Sequence, residues 1–476
     1  MLDLIIFLLI LIGLMILVLL ILRAWIRKKR DIRPKRLDKF LESLSDVKAN
    51  QDKPNIIIIL TDDMGYADIS CFNLDPQSIQ TPNIDKLANK GVTFTNFYSS
   101  APICSPSRAG LLTGRYPVRT HVPTVFIPSD SLISPLARIF LYSYGMKGIS
   151  PDEITLPEVL KKVGYHTALV GKWHLGDSEP HLPNDKGFDF FYGAHFSNDM
   201  DPYEIYRDKT VELEEPVDQD ELTKLLTKEC LNFIKKSKDN PFFLYYAQPF
   251  PHEPLHASDD FKGSSHGGVY GDAVQEVDWS VGKIIDTLKK ENLLENTLIL
   301  FSSDNGPFHQ GNPGYTRGRK GLTLEGGQKV PFFAYWPKHI PAGIKNDTPL
   351  MNIDLFPTLL NIIGIPLPDD RIIDGTDFSP LLKEESAELE ERPLYYFWNK
   401  ELQAVRNEKW KYNIKHRSDI STYFYLKLGP SLFDLDADPN ESYNLISHFP
   451  EKGQRLKDQL EKMKDHLSDN LRGWKD

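Results

Sequence analysis

The sequence predicts an α/β fold with a large, mainly parallel central sheet flanked by helices. Three apolar runs rich in β-branched or aromatic residues predict strands buried on both faces, at 55–60, 242–247 and 297–303. Apolar residues at helical spacing predict helices that alternate with these strands, at 156–163, 221–236 and 272–290. Alternation of strands and helices is typical of a parallel sheet.

The pattern changes after about residue 390. Short strand-like pieces separated by turns occur at 394–398, 403–406, 410–414 and 431–434. We expect a small antiparallel sheet, closed by a charged terminal helix from about 451 to 468. The chain therefore divides into a main domain over 54–389 and a C-terminal α+β subdomain over 390–476. We expect the subdomain to wall one side of a cleft and to contribute no catalytic residue.

The N-terminus carries an apolar run over 4–22 that is broken only by Gly13. At about 1.5 Å per residue, a helix of this length approaches the ~30 Å of a bilayer core. We therefore predict a single-pass transmembrane anchor over 1–27 and a basic, charged tether over 28–53. A cleaved signal peptide is the alternative, but the run has no basic segment before it and no small-residue cleavage site after it.

Composition limits the function classes. The 476 residues are 41% hydrophobic and 26% charged, which is ordinary for a globular protein. A formal net charge of -10 argues against a general nucleic-acid binder. Three cysteines without metal-ligand spacing argue against a zinc site or a disulfide framework. Cys71 and Cys230 are expected to be small buried residues without reactivity.

Polar side chains follow two of the predicted strands. Asp62 and Asp63 come directly after the run at 55–60, and Asp304 and Asn305 come directly after the run at 297–303. Open α/β sheets gather ligands at the carboxyl ends of their strands. Carboxylate and amide oxygens are hard donors that suit Ca²⁺ or Mg²⁺. The pattern predicts a divalent cation site, with turn and helix-cap roles as the alternative.

The stretch from Cys104 to Arg115 contains Cys-Ser-Pro-Ser-Arg and ends in Thr-Gly-Arg. It resembles the signature of the type I sulfatases, in which the cysteine is oxidised after synthesis to formylglycine (3-oxoalanine). Ser105 and Pro106 are expected to turn the chain ahead of a short helical run at 109–112. That arrangement would place residue 104 near a helix N-terminus, which favours an anion.

Other stretches are similar to further elements of this family. The matching residues are Lys172 and His174 within 171–176, His252 within 251–254, Lys320 within 318–321, and more weakly Ser197. His256 is the alternative to His252. The resemblance covers about 55–445, is nearest to the arylsulfatase and steroid-sulfatase branch, and implies the alkaline-phosphatase-like fold.

The resemblance implies roles for these residues. Asp62, Asp63, Asp304, Asn305 and the modified residue 104 would hold Ca²⁺, with Mg²⁺ as the alternative. Arg108, Lys172 and Lys320 would neutralise the sulfate. Asp304 would accept the proton of the attacking hydroxyl, and His252 or Lys320 would protonate the leaving alcohol. His174 would take a proton from the second hydroxyl of the hydrated aldehyde. Ser197, Lys172, His252 and Lys320 would contact the substrate.

The predicted activity is hydrolysis of a sulfate monoester to an alcohol or phenol and inorganic sulfate. The alternatives are a phosphonate monoester or phosphodiester hydrolase of the same superfamily and an inactive membrane-tethered binding protein. The substrate is a sulfated small molecule, lipid or sugar, and a formylglycine-generating enzyme would mature Cys104.

Two features of the sequence leave alternatives open. Basic residues after the apolar run favour a cytoplasmic domain, whereas many family members work outside the cytoplasm, so the side of the membrane is open. An apolar insert at 132–146 would line the substrate pocket, rest on a membrane, or form a buried loop.

Overall fold

The computed structural model describes residues 13–14, 17, 35–45, 53–73, 75, 77–129, 147–384, 386–414 and 429–475. Nearly all of the predicted anchor at 4–22 and the whole apolar insert at 132–146 lie outside these residues. Among the described helices, none has the length and apolar character needed to cross a membrane.

The strands of the described chain form three sheets. Their bounds are β1 Asn55–Thr61, β2 Val92–Phe94, β3 Phe97–Tyr98, β4 His166–Gly171, β5 Phe190–Gly193, β6 Ile205–Arg207, β7 Thr210–Leu213, β8 Phe242–Ala247, β9 Thr297–Ser303, β10 Phe332–Tyr335, β11 Ile344–Asn346, β12 Leu350–Met351, β13 Leu394–Trp398, β14 Glu401–Asn407, β15 Trp410–Asn413 and β16 Ser431–Asp434. The main sheet has the order β11-β2-β10-β9-β1-β8-β4-β5-β6-β7.

The centre of the main sheet is parallel and contains the three predicted strands. β1 pairs in parallel with β8 on one side and with β9 on the other, so Ile58 lies between Tyr245 and Leu300. β4 extends the parallel region beyond β8, and antiparallel pairs occur toward both edges. Because β1, β8 and β9 run in the same direction, their carboxyl ends meet at one edge of the sheet.

Helices cover both faces of this sheet. The described helices are α1 Lys35–Ser43, α2 Pro82–Lys90, α3 Cys104–Thr113, α4 Leu156–Lys162, α5 Leu222–Lys236, α6 Gly268–Lys290, α7 Glu325–Gln328, α8 Leu355–Ile362, α9 Ser379–Lys383 and α10 Pro450–Asp469. Alternate residues of β1 enter opposite cores: Ile56 and Ile58 pack with residues of α3, α4 and α8, whereas Ile57 and Ile59 pack with residues of α2, α5 and α6. The predicted α/β class is confirmed.

Helix α3 begins earlier than the sequence pattern indicates. We expected the helical run to start at 109, yet the helix begins at Cys104 and includes Pro106 in its first turn. Proline is tolerated there because the first backbone N–H groups of a helix have no partner within the helix. The helix ends at Thr113 and is followed by Gly114, whose φ of 69° is left-handed.

The expectation for Cys71 is wrong. Cys230 is buried as expected, but Cys71 is exposed. Cys71 lies in a single turn, Ser70–Phe72, and its backbone N–H donates to Asp85 Oδ1 over 3.0 Å. This hydrogen bond fixes the turn near the surface, so the side chain has no core to enter.

The C-terminal sheet matches its prediction. Strands β13 to β16 pair in order and antiparallel, and α10 packs Leu456 and Leu460 into a core with β-strand residues such as Tyr396. Tyr98 and Tyr116 of the main domain enter the same core. The boundary between 389 and 390 stays a prediction.

Candidate active site

The predicted oxygen ligands lie together at the carboxyl ends of β1 and β9. The Asp304 N–H donates to Thr61 O over 3.0 Å, which joins the two strand ends. Asp304 Oδ1 accepts from the Asp63 N–H at 3.2 Å, and the Asn305 amide donates to Asp63 Oδ1 at 2.7 Å. Asp62 is also buried at this edge. Strand-end position therefore brings the four residues together as the sequence predicts.

These residues fit a divalent cation. The Oδ1 atom of Asn305 is buried without a hydrogen-bond partner. Ligand atoms of Asp62, Asp63, Cys104 and His252 lie within 4.8 Å of one another. Clustered buried carboxylates repel unless cations neutralise them, and oxygen donors suit a hard cation.

The first residue of α3 is Cys104, and the whole helix is buried. Cys104 Sγ lies 3.4 Å from Asp62 Oδ1. Arg108 follows four residues later and therefore lies on the same face of the helix. Its Nε and Nη2 atoms lie 3.0 Å and 2.9 Å from Asp304 Oδ2. Burial opposes the charge of Arg108, but the groups around it, with Asp304 the largest contributor, together outweigh burial and raise the pKa of the guanidinium.

Lys172 enters the site from the end of β4. Gly171 precedes it with a φ of 114°, and a Cβ atom there would collide with Ala247 O, so only glycine fits this turn. The Lys172 ammonium pairs with Asp62 and donates to Ser197 Oγ over 3.0 Å. Burial would lower the pKa of Lys172, but the negative groups around it, with Asp62 the largest contributor, together outweigh burial and raise it.

His174 has a defined tautomer. Its Nε2 atom lies 3.0 Å from Phe126 O, and a carbonyl only accepts, so the hydrogen resides on Nε2 and Nδ1 carries the lone pair. Nδ1 is buried without a hydrogen-bond partner. Burial, together with the charges of Lys172 and Arg108, lowers the pKa of His174 well below its usual value. The neutral ring is suited to accept a proton.

His252 and Lys320 both approach Asp63. Lys320 Nζ lies 2.7 Å from Asp63 Oδ2, and His252 Nε2 lies 3.6 Å from the same oxygen. Ser197 Oγ is 3.4 Å from His252 Nδ1. Asn198, which sequence reasoning missed although it adjoins Ser197, lies 3.1 Å from His252 Nδ1 through its Oδ1 atom.

The alternative histidine lies elsewhere. His256 Nδ1 is 2.8 Å from Asp220 Oδ1, and this pair is partly exposed. The structure therefore places His252, and not His256, with the other predicted residues.

The two buried aspartates nearest to Arg108 have opposite pKa shifts. Burial raises the pKa of Asp304 to about 7, and the negative charge of Asp62 adds to this effect. At Asp62 burial acts in the same direction, but Lys172, His252 and Arg108 outweigh it and hold the pKa well below its usual value. Asp304 is thus the better proton acceptor of the two.

The C-terminal sheet contributes a buried lysine behind this site. Lys411 of β15 has no exposed side-chain surface, and its Nζ atom lies 3.0 Å from Glu325 Oε1 and 3.1 Å from Glu441 Oε1. The Glu325 N–H donates to Glu441 Oε2 over 2.7 Å. One buried cation therefore links β15 to two carboxylates. Sequence reasoning missed Lys411, since lysine is usually a surface residue.

This network fixes the turn behind Asn305. Glu325 begins α7, and Gly327 O in that helix accepts the Gly306 N–H over 2.9 Å. A Cβ atom on Gly306 would collide with Gly326 O, so the two segments approach as closely as only glycine allows. The position of Asn305 therefore depends on α7, which Lys411 holds from the C-terminal sheet.

The sequence model of the family described as Sulfatase matches residues 54–365. The chain belongs to the sulfatase family. A second model, described as N-sulphoglucosamine sulphohydrolase, C-terminal, matches residues 318–469. This sulfatase is 32% identical to the steryl-sulfatase of Homo sapiens, over 89% of the chain and 91% of the relative. It is 35% identical to the N-acetylgalactosamine-6-sulfatase of Mus musculus, over 87% of the chain and 86% of the relative.

Solved structures agree with this assignment. The PsFucS1 sulfatase from Pseudoalteromonas sp. superposes with a TM-score of 0.76 at 29% identity, covering 93% of this sulfatase and 95% of that chain. The phosphonate monoester hydrolase of Agrobacterium radiobacter reaches a TM-score of 0.60 at 19% identity, covering 87% and 96%, and this likeness shows the fold alone. The alkaline-phosphatase-like fold is confirmed, and the enzyme is a sulfuric ester hydrolase that cleaves sulfate monoesters. Neither the phosphonate or phosphodiester hydrolase nor the inactive binding protein is favoured.

Proposed function

We propose that this sulfatase hydrolyses its ester through formylglycine formed from Cys104. The observation that carries the proposal is the position of Cys104 Sγ, 3.4 Å from Asp62 at the edge where Arg108 and Lys172 also meet Asp62. An oxygen nucleophile at this position faces the cations that a sulfate monoester requires. The Sγ atom of the cysteine stands where the reactive oxygen of the modified residue would lie.

We further propose Ca²⁺ as the cation, with Mg²⁺ as the alternative. Asp62, Asp63, Asp304 and Asn305 supply hard oxygen donors, and the unpartnered Asn305 Oδ1 adds a free ligand atom. When bound, the cation supplies positive charge that favours ionisation of the attacking hydroxyl and neutralises the sulfate.

The attack step uses groups of this chain. Hydration of the aldehyde gives two hydroxyls on one carbon, and the first transfers its proton to Asp304 as its oxygen bonds to sulfur. The bond between sulfur and the alcohol oxygen breaks, and His252 or Lys320 protonates that oxygen. Arg108, Lys172 and Lys320 hold the sulfate during the transfer. Residue 104 then carries a sulfate hemiester.

Release depends on His174. The lone pair on Nδ1 takes the proton of the second hydroxyl, whose oxygen then forms the carbonyl as the carbon–oxygen bond to sulfate breaks. The depressed pKa of His174 keeps the ring neutral and ready for this step. Division into two steps requires both hydroxyls, which neither cysteine nor serine provides.

Mass spectrometry of the tryptic peptide that contains residue 104 tests the formylglycine. We expect the aldehyde form, which is lighter than the cysteine form and reacts with hydrazines. Paired assays on 4-nitrophenyl sulfate and a phosphate diester test the reaction class. Full activity with unmodified Cys104 would contradict the mechanism, and faster turnover of the diester would contradict the reaction class.

A metal-ligand variant tests the cation. We expect Asp63→Asn to bind less Ca²⁺ than wild type, because the amide removes a charged ligand, and to lose the rise in Tm that added Ca²⁺ gives wild type. Elemental analysis and thermal melts measure the two effects. Asp259→Asn is the matched control, since Asp259 is 92% exposed and pairs only with Lys262 among the ion pairs of the described residues. Equal metal content in Asp63→Asn and wild type would refute this ligand assignment.

Membrane attachment through the run at 4–22 and maturation by a formylglycine-generating enzyme stay predictions from the sequence. The related proteins do not choose among substrates, because one is named for a steryl ester and another for an amino sugar.

A further inference from the structure

A cleft of about 720 Å³ opens over His252 and Lys320. Its remaining described lining consists of four apolar and two acidic side chains: Pro254, Leu255, Val269, Phe308, Asp199 and Glu253. The cleft therefore begins at residues that approach Asp63 and continues away from them between apolar walls.

The apolar walls are held by the fold yet remain open to the cleft. Leu255 packs against one core of the main sheet. Val269 is the second residue of the long helix α6 and is 49% exposed. Phe308 lies partly buried, with its ring 5.9 Å from Lys320 Nζ. Apolar surface beside a reactive group favours an apolar ligand, because binding removes the apolar surface of the cleft and that of the ligand from water.

The charges of the cleft act against a second anion. Asp199 is exposed, and Glu253 is partly exposed and accepts a hydrogen bond from the Gln310 amide. Among the described lining residues Lys320 is the only Lys or Arg, and Asp63 already holds its ammonium at 2.7 Å. A sugar with a second sulfate or a carboxylate would bring that charge toward Asp199 and Glu253, and the described lining residues offer no free Lys or Arg to receive it.

We propose that this cleft selects monosulfate esters of apolar, uncharged alcohols and phenols and discriminates against polysulfated sugars. Val269, Phe308 and Leu255 contact the apolar part of the ester. Asp199 and Glu253 repel further anionic groups. The inference rests on the sulfatase activity proposed above and assigns the class of alcohol that leaves.

Two substrates test this selectivity: 4-methylumbelliferyl sulfate, with its apolar fused rings, and glucosamine 2-N,6-O-disulfate. We expect wild type to show the larger kcat/KM for the umbelliferyl ester. Val269→Ser and Phe308→Ser should lower that kcat/KM by roughly fivefold to tenfold, mainly through KM, because each removes apolar contact with the leaving group. Leu367→Ser is the matched control, since Leu367 is 42% exposed and lines a separate groove.

The acidic residues have their own variant. The double substitution Asp199→Asn with Glu253→Gln should raise the ratio of kcat/KM for the disulfate to kcat/KM for the umbelliferyl ester several-fold. A wild-type preference for the disulfate, or wall variants that affect both substrates equally, would overturn the assignment.

Failure of the activity and failure of the selectivity give different results. If 4-nitrophenyl sulfate and both test esters all remain intact, the proposed mechanism fails. Calorimetric binding of the two esters to the enzyme then still measures selectivity, and tighter binding of the disulfate would overturn the proposed class of alcohol.

Discussion

Cys104→Ser is expected to release about one equivalent of alcohol per enzyme and then to stop, with a loss of steady-state turnover on the order of 10⁴-fold or more. Serine supplies one hydroxyl at the position of the nucleophile, so it can attack sulfur and expel the alcohol. It has no second hydroxyl from which His174 could take a proton. The sulfate ester on residue 104 therefore persists.

Rapid-quench assays with 4-methylumbelliferyl sulfate measure the single release, and mass spectrometry of the peptide locates the added sulfate. Cys71→Ser is the control, because Cys71 is exposed and lies outside the site. It should retain wild-type turnover. Sustained turnover by Cys104→Ser would show that the second hydroxyl is unnecessary, and the proposed release step would then be wrong.

Lys411→Met is expected to lower the free energy of unfolding by about 3–5 kcal/mol. Methionine matches much of the volume of lysine but removes the cation that lies between Glu325 and Glu441. Glu325 then keeps only the more distant Arg406, at 3.8 Å, so the cost is that of poorly compensated buried carboxylates and not of lost packing. Because the network around Lys411 holds α7, and α7 positions Asn305, we also expect Lys411→Met to retain the metal more weakly than wild type.

Urea unfolding at neutral pH measures the effect, with Lys409→Met as the matched control two residues away. Lys409 is 42% exposed and pairs with Asp434, so its loss should cost less than about 1 kcal/mol. Similar effects for the two variants would contradict the role of the buried cation.

The pH dependence of the free energy of unfolding gives a second measurement of the effect of Lys411→Met. In wild type, burial raises the pKa of Glu325, but Lys411 and Arg406 outweigh it and lower the pKa. A lowered folded-state pKa contributes stability above the unfolded pKa that is lost as the pH falls. Without Lys411 the carboxylates gain protons in the folded state at a higher pH than in the unfolded chain, so the variant recovers stability relative to wild type as the pH falls from neutral toward the usual glutamate pKa.

Strand ends explain why so much of the site could be predicted. The buried runs before Asp62 and Asp304 could only be central strands, and the carboxyl ends of such strands converge. Cys104 and Arg108 were identified by their fixed spacing in the family signature, but their common helix face was not predicted, because the helix was expected to begin at 109. Features of the site that depend only on neighbouring residues could therefore be predicted from the sequence.

Two kinds of contact could not be predicted in this way: those between residues far apart in the sequence and those made to backbone groups. The tautomer of His174 depends on the Phe126 carbonyl, and a carbonyl is present at every residue. Lys411 could not be distinguished from a surface lysine, because its carboxylate partners lie on α7 and in a turn after β16. The start of α3 was placed too late because Pro106 suggests a turn, although the first turn of a helix accepts proline.

The burial of α3 bears on the order of two events, the oxidation of Cys104 and the folding of the main domain. Cys104 is 2% exposed, and every residue from 104 to 113 is buried, so no enzyme can reach the thiol once the main domain has formed. The proposed oxidation of Cys104 must therefore take place on the nascent, extended chain. The same segment then has two roles: the maturing enzyme would bind it as a linear peptide, and it later forms the buried helix α3. Residues 105–113 therefore have to fit two different shapes, an extended peptide and a buried helix.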